Sequence, residues 1–304
     1  MNSIDTLKLD FNSQIKELNK IHNHKILDDC IYIGSGDSYV AGLIAEYLTH
    51  HKCKCYSPSD LLNSKFLTDK TYCFISVTGR TKANIKLARI ATESGVKTIA
   101  ITLDRNSKLA EACKKVVPLK ITKINTPTAG FSTFVANAVT CLQIAGIDVP
   151  MKFDTWYNKG IELSLNFIKS TILPNATVYV LGNNTLYALA LYASFQMAEF
   201  FGSTAIAHKL EEFCHSPIFG LKKSHHVWVL GQNEKQVSQR LSRLGLNLTY
   251  FELQNKDIFS QVFQSIFFVQ SLILLLAEKR GNTELQFVTM KDILKASSDI
   301  IYDK

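Results

Sequence analysis

A short segment near the start of the chain recurs about half a chain later, and this recurrence limits the fold more than any other feature. Ile31-Tyr32-Ile33-Gly34-Ser35-Gly36-Asp37-Ser38-Tyr39 reads as a strand, a glycine turn and the start of a helix. Val178-Tyr179-Val180-Leu181-Gly182-Asn183-Asn184-Thr185-Leu186-Tyr187 reads the same way, with Gly182 placed 148 residues after Gly34. A second pair, 94–101 and 244–251, is offset by 150, and each member is a helix-ending glycine followed by a β-rich strand. Two offsets that nearly agree point to an internal duplication.

Within each half, short apolar runs alternate with helical spacing. The runs are 30–33, 72–76, 97–102 and 115–119, then 177–181, 226–230 and 246–253; segments 83–93 and 188–201 have the helical period. Such alternation predicts parallel sheets covered by helices on both faces. A linker helix is expected between Pro150 and Pro174. The expected fold is α/β, with two doubly wound parallel-sheet domains at 1–150 and 151–304.

Composition narrows the function classes. A chain of 304 residues, 46% apolar and 20% charged, is long enough for two modest domains and too apolar for disorder. The net charge of +8 is spread thinly: the densest lysine clusters are pairs such as Lys114-Lys115 and Lys222-Lys223, with no basic stripe interleaved with aromatics. We therefore expect no nucleic-acid partner, and a surface suited to small anions. The polar first 25 residues show no export signal. The longest apolar run, 266–277, is broken by Gln270 and Ser271, too short to cross a bilayer, and reads as a buried helix. Seven unpatterned cysteines suit reduced thiols, so the expected protein is soluble and cytoplasmic, without a membrane partner.

In doubly wound sheets, ligands bind beyond the carboxyl ends of strands where the strand order reverses. Gly34-Ser35-Gly36-Asp37-Ser38 lets backbone approach a ligand before opening a helix whose N-terminus favours an anion, although the same pattern also serves as a plain tight turn. Ile75-Ser76-Val77-Thr78-Gly79-Arg80-Thr81 carries three hydroxyls around a glycine, a set able to surround one phosphate; the simpler alternative is helix capping by Thr78. Neither loop has the third glycine of a dinucleotide site, which favours a phosphomonoester.

These residues resemble the sugar isomerase (SIS) phosphosugar-binding domains, in the tandem form found in the isomerase half of glucosamine-6-phosphate synthase and in archaeal phosphosugar isomerases. Ser76-Val77-Thr78-Gly79-Arg80-Thr81 is similar to the family's Ser-x-Ser-Gly-x-Thr phosphate loop, and Gly36-Asp37-Ser38-Tyr39 to its Gly-Thr-Ser-Tyr. Phe131-Ser132-Thr133 resembles the Ala-Ser-Thr stretch that closes the first sugar site. The resemblance spans roughly 25–295 and implies flavodoxin-like SIS domains. It also implies phosphosugar binding through Gly36, Ser38, Ser76, Thr78, Thr81 and Ser132.

The resemblance assigns catalysis to the second half. Glu199 occupies the position of the family's base, and His215-Ser216-Pro217, sixteen residues on, that of its ring-opening His-Gly-Pro. Glu199 lies among Phe195, Met197, Phe200 and Phe201, surroundings that raise a carboxyl pKa toward that of a useful base. Imidazole titrates near neutrality, as ring opening by His215 requires. In the relatives this histidine comes from a neighbouring subunit, which implies a homodimer with shared active sites. Two positions depart from the family. Gln196 stands where the relatives carry a lysine one turn before the base, and the diverged tail leaves Lys291 or Lys295 as the C-terminal lysine.

The expected activity is aldose–ketose isomerisation of a hexose 6-phosphate or amino-hexose 6-phosphate through a cis-enediol, with no metal or organic cofactor. Alternatives are a glucosamine-6-phosphate deaminase, a synthase-like isomerase subunit without its own glutaminase domain, or a non-catalytic phosphosugar sensor. Without two convergent ligand pairs, His50, His51, Cys53 and Cys55 are not expected to hold zinc. His225-His226 should flank a buried strand, and the Phe/Leu stripe 259–276 should be core or dimer interface.

Overall fold

The computed structural model describes residues 1–21, 29–122, 129–168, 177–231, 235–253 and 257–303. In chain order the elements of the amino half are α1 (Ser3–Leu18), β1 (Cys30–Ile33), α2 (Asp37–Leu48), β2 (Lys54–Tyr56), α3 (Pro58–Leu61), β3 (Thr71–Ile75), α4 (Lys82–Glu93), β4 (Lys97–Thr102), α5 (Lys108–Ala112), β5 (Lys115–Pro118) and α6 (Phe131–Ile144). There follow α7 (Phe153–Ile168), β6 (Val178–Leu181), α8 (Thr185–Phe201), β7 (Ala205–His208), α9 (Leu210–His215), β8 (His226–Gly231), α10 (Lys235–Ser242) and β9 (Asn247–Glu252). The chain closes with α11 (Ile258–Lys279), α12 (Gln286–Thr289) and α13 (Lys291–Ile301). Two compact units emerge. One is built mainly of Ser13–Asn125, Gly130–Met151 and Met290–Lys304, the other mainly of Lys152–Thr289 with Met1–Asn12.

The first unit holds a five-stranded sheet in the order β2-β1-β3-β4-β5, and every pairing is parallel. Its strands read as unbroken apolar runs because both faces are covered. On one face Ile31, Ile33, Tyr72, Phe74 and Ala100 pack with Ile85, Leu87 and Ala88 of α4. The other face is served by α2 and α6, whose buried residues include Val40, Ile44, Phe134 and Leu142. Tyr32 is fully buried there, its hydroxyl donating to the Cys141 carbonyl at 2.6 Å.

The second unit holds a four-stranded parallel sheet in the order β7-β6-β8-β9. Its central helix, α11, spans 22 residues, longer than the apolar run alone suggested. By length and composition it could cross a membrane, but 72% of its most apolar window is buried inside the protein. It packs on α7 through Trp156 stacked on Phe263 at 4.9 Å between ring centroids, with Phe153 edge-on to both. Burying an aromatic such as Phe263 contributes about 2–3 kcal/mol. The helix expected as a linker between Pro150 and Pro174 is thus a core element of its unit; Pro174 itself lies outside the described residues.

The two repeated turns share a geometry. A Cβ on Gly34 would lie 2.7 Å from the backbone carbon of Ser38, and one on Gly182 would strike the backbone of Leu186, again four residues on. Each strand end therefore touches the first turn of the helix it feeds, which only glycine permits. The residues preceding the helices, Gly36 (φ 57°, ψ −133°) and Asn184 (φ 51°, ψ −126°), adopt nearly the same backbone conformation.

Candidate functional site

In the first sheet β1 leads to its neighbour β2 on one side, whereas β3 lies on the other, so the order reverses between β1 and β3. The loops leaving their carboxyl ends, 34–36 and 76–81, therefore lie at the position where this class of sheet binds ligands. In the second loop Ser76 is buried, and its Oγ lies 3.0 Å from Thr81 Oγ1. Thr78 and Arg80 are exposed, and Thr78 Oγ1 accepts from the Arg80 amide at 3.3 Å. Gly79 has φ +64°, and a Cβ there would collide with the side chain of Ser107, so the turn requires glycine.

The loop's hydrogen bonding divides by polarity. The carbonyls of Ser76, Val77, Gly79, Arg80 and Thr81 accept from the amides of Gly79, Leu103, Leu109, Asp303 and Ile85, at 2.8–3.1 Å. The amides of Thr78 and Thr81 donate to no described residue. Thr81 caps α4 without a side-chain cap bond, which leaves its hydroxyl to Ser76. With five of the six carbonyls from Ser76 to Thr81 engaged by protein amides, the Thr78 and Thr81 amides unclaimed, and three hydroxyls bonded only within the loop at the start of a twelve-residue helix, the loop leans toward the polarity of an anion receptor.

The other candidate binding residues of this unit lie on two helix starts. Gly36 is exposed and Ser38 is half-buried in the first turn of α2. Ser132 is buried in the first turn of α6, behind Gly130 in the left-handed conformation (φ +61°). Lys291 and Lys295 are exposed on α13, and Lys295 Nζ pairs with Asp299 at 2.7 Å, which raises its pKa.

In the second unit α8 carries Glu199 between the fully buried Gln196 and Phe200. Its side chain is half-buried, and Oε2 is sealed from solvent with no hydrogen-bond partner among the described residues. Desolvation pushes its pKa up to about 7. His215 ends α9 with 74% of its side chain exposed, its Nε2 lying 3.8 Å from Glu211. No hydrogen bond or ion pair joins it to Glu199. Beside it Cys214 is the one exposed cysteine of the seven, and Phe219 is 85% exposed.

Several supporting residues were not apparent in the sequence reading. Asn84, fully buried in α4, donates Nδ2 to the Ile75 carbonyl at 2.8 Å and so fixes the end of β3. Thr102 Oγ1 donates to the Val77 carbonyl, while Ser107 caps α5 and fills the space under Gly79. The turn Asp104-Arg105-Asn106-Ser107 has the composition of a helix start and could have drawn attention to Ser107. Cys53 and Cys55 are buried, whereas His51 pairs with Glu46 at 2.9 Å. Among the described residues no three His, Cys, Asp or Glu side chains converge on a common point for a metal.

No protein-family model and no curated protein matches the chain. Solved structures do. Glucosamine-6-phosphate deaminase from Thermotoga maritima aligns with a TM-score of 0.76 at 17% identity, over 93% of this chain and 96% of that one. The C-terminal domain of glucosamine-fructose-6-phosphate aminotransferase from Francisella tularensis aligns with a TM-score of 0.70 at 16% identity, over 92% and 98%. Tagatose-6-phosphate ketose/aldose isomerase from Escherichia coli aligns with a TM-score of 0.66 at 15% identity, over 92% and 89%. The chain thus has the α/β parallel-sheet fold of these phosphosugar proteins.

Proposed function

We propose that the chain binds a phosphosugar and interconverts its aldose and ketose forms through a cis-enediol, with a hexose 6-phosphate or amino-hexose 6-phosphate as substrate. The observation that carries this reading is the loop 76–81, where all carbonyls but that of Thr78 are engaged by protein amides, the Thr78 and Thr81 amides are unclaimed and the hydroxyls bond only within the loop, where an anion can recruit them. The three fold neighbours named above, each named for a phosphosugar, add support. Their fold also suits the internally duplicated SIS domains inferred from the sequence, as does the shared geometry at Gly34 and Gly182.

In this reading Ser76, Thr78 and Thr81 hold the phosphate, with Gly36, Ser38 and Ser132 toward the sugar. Glu199 takes the proton from C2 of the open-chain aldose; the C–H electron pair becomes the enediol double bond, and the carbonyl oxygen is protonated. Return of the proton from Glu199 to C1, with loss of the O2 hydroxyl proton as the C2 carbonyl forms, gives the ketose, so that overall one proton passes from O2 to O1. A base with a pKa near 7 is matched to this exchange at neutral pH. The substrate's own carbonyl makes the C–H acidic, so the chemistry calls for no redox cofactor. Gln196 supplies a neutral amide where a lysine would stabilise the enediolate by charge, with Lys291 or Lys295 as the remaining cationic candidates. His215 opens the ring, and its exposure beside Phe219 supports a homodimer in which it serves the partner's site.

Deamination of glucosamine 6-phosphate is the second reading, favoured by the likeness to the Thermotoga enzyme's fold. Incubation with fructose 6-phosphate, tagatose 6-phosphate and glucosamine 6-phosphate separates the possibilities. Interconversion of aldose and ketose, abolished by Glu199→Gln with binding retained, supports the isomerase. Ammonia release without isomerisation supports the deaminase, and binding of all three without turnover leaves a sensor.

A further inference from the structure

The C-terminal residues make an unusual set of contacts. None of the eleven residues of α13 is fully buried, so apolar packing contributes little to holding it in place. Polar groups near its end and just beyond it instead contact the segment that follows β3 or its support. The Asp303 amide donates to the Arg80 carbonyl at 2.8 Å, and Thr81 and Tyr302 form an isolated antiparallel bridge. Lys82 Nζ donates to the Asp299 carbonyl at 2.6 Å, and the Arg80 guanidinium stands 6.0 Å from the centre of the Tyr302 ring. Lys108, in the first turn of α5 beside the Ser107 that fills the space under Gly79, pairs with Asp303 at 2.7 Å.

We propose that residues 299–303 form a strap that shapes the anion loop, with Tyr302 and Asp303 as positioning residues for phosphate binding; this rests on the reading of loop 76–81 given above. The physical reason lies in the polarity of the loop. A carbonyl turned toward a bound phosphate repels it, so a receptor built from backbone must point its carbonyls elsewhere. Arg80 is exposed, and its carbonyl is engaged by the tail rather than by the sheet. The strap keeps that oxygen turned away, and with it the orientation of the peptide that carries the Thr81 amide. Because its attachments are polar and partly solvated, it opens at a lower free energy than the core.

The test separates the Asp303 amide from its carboxylate. Asp303→Pro deletes the N–H, and Tyr302 (φ −104°, ψ 141°) already has the extended backbone that a following proline requires. Asp303→Ala keeps the N–H and loses only the ion pair. Inorganic phosphate is titrated into the intact chain and both variants by calorimetry, and hydrogen exchange is followed for amides 78–82. Asp303→Pro should weaken phosphate binding about 3- to 10-fold and speed exchange at those amides, as loss of one hydrogen bond would. Asp303→Ala should change both much less, and a variant cut after Ser298 should reproduce the proline effect. Unchanged phosphate affinity in Asp303→Pro and in the cut chain overturns the positioning role. If the intact chain binds no phosphate, the reading of the loop fails on its own, and the positioning role falls with it. The exchange rates then still report whether the strap exists, and equal rates in all chains would mean it does not.

Discussion

Ser76 and Thr81 face each other across the loop after β3, with their hydroxyl oxygens 3.0 Å apart. One residue ends a buried strand and the other begins a helix, so the pair closes a ring around the intervening turn. Ser76→Ala and Thr81→Val each remove one side of it. Phosphate affinity should fall about 10- to 100-fold for either, the amount expected for one hydrogen bond to a charged ligand. Ser76→Ala should change fold stability by less than about 1 kcal/mol, because Thr81 stays partly exposed, whereas Thr81→Val leaves the buried Ser76 hydroxyl without its partner and should cost about 1–3 kcal/mol. Calorimetric titration and urea melts measure the two effects separately.

Gly79 tests whether the turn itself matters. Alanine there must adopt φ near +64° and push against Ser107, so Gly79→Ala should cost about 1–3 kcal/mol and abolish phosphate binding. A compensating Ser107→Gly change opens space for the methyl group and should recover part of the stability but not the backbone strain. Thermal melts of the single and double variants report this directly.

Glu199 predicts two pH dependences. As a base it must be deprotonated, so kcat/KM should rise with pH through an apparent pKa near 7. Its stability effect has the opposite sense. The folded protein holds this proton more tightly than the unfolded chain between the ordinary value of 4.5 and about 7, so stability falls as pH rises through that window. Glu199→Gln carries no such cost. Its advantage over the parent should be absent below pH 4.5, grow from there to about pH 7 and then level off, with a ceiling of about 3 kcal/mol. Denaturant melts at several pH values measure it.

Asn184 occupies a backbone conformation (φ 51°, ψ −126°) that its counterpart Gly36 adopts without a side chain. Asn184→Gly should therefore raise stability by about 0.5–1 kcal/mol, and Asn184→Ala should lower it by a similar amount. Paired thermal melts decide the matter, and a loss of stability on Asn184→Gly would show that the asparagine side chain outweighs the strain.

Local patterns were legible in the sequence, and distant partnerships were not. β1 and β4 emerge with the boundaries read from their apolar runs because central parallel strands are buried on both faces. β2 (Lys54–Tyr56) and β7 (Ala205–His208) escaped notice: each is a sheet edge, three or four residues long, with no β-branched run to mark it. The hydroxyl-rich composition of loop 76–81 was visible because Ser76, Thr78 and Thr81 lie within six residues of one another. The apolar neighbours of Glu199 on its own helix likewise forecast the direction of its pKa shift. Nothing in the residues around Arg80 foretells that its carbonyl is met by Asp303, more than two hundred positions away. Such a pairing follows from where the chain folds back, and no periodicity encodes it.

Because Cys214 is the sole exposed thiol, a maleimide fluorophore at limiting dose would settle there without any engineered change. The dye would stand beside His215, giving an optical reporter whose emission would reveal whether a second protomer approaches that edge.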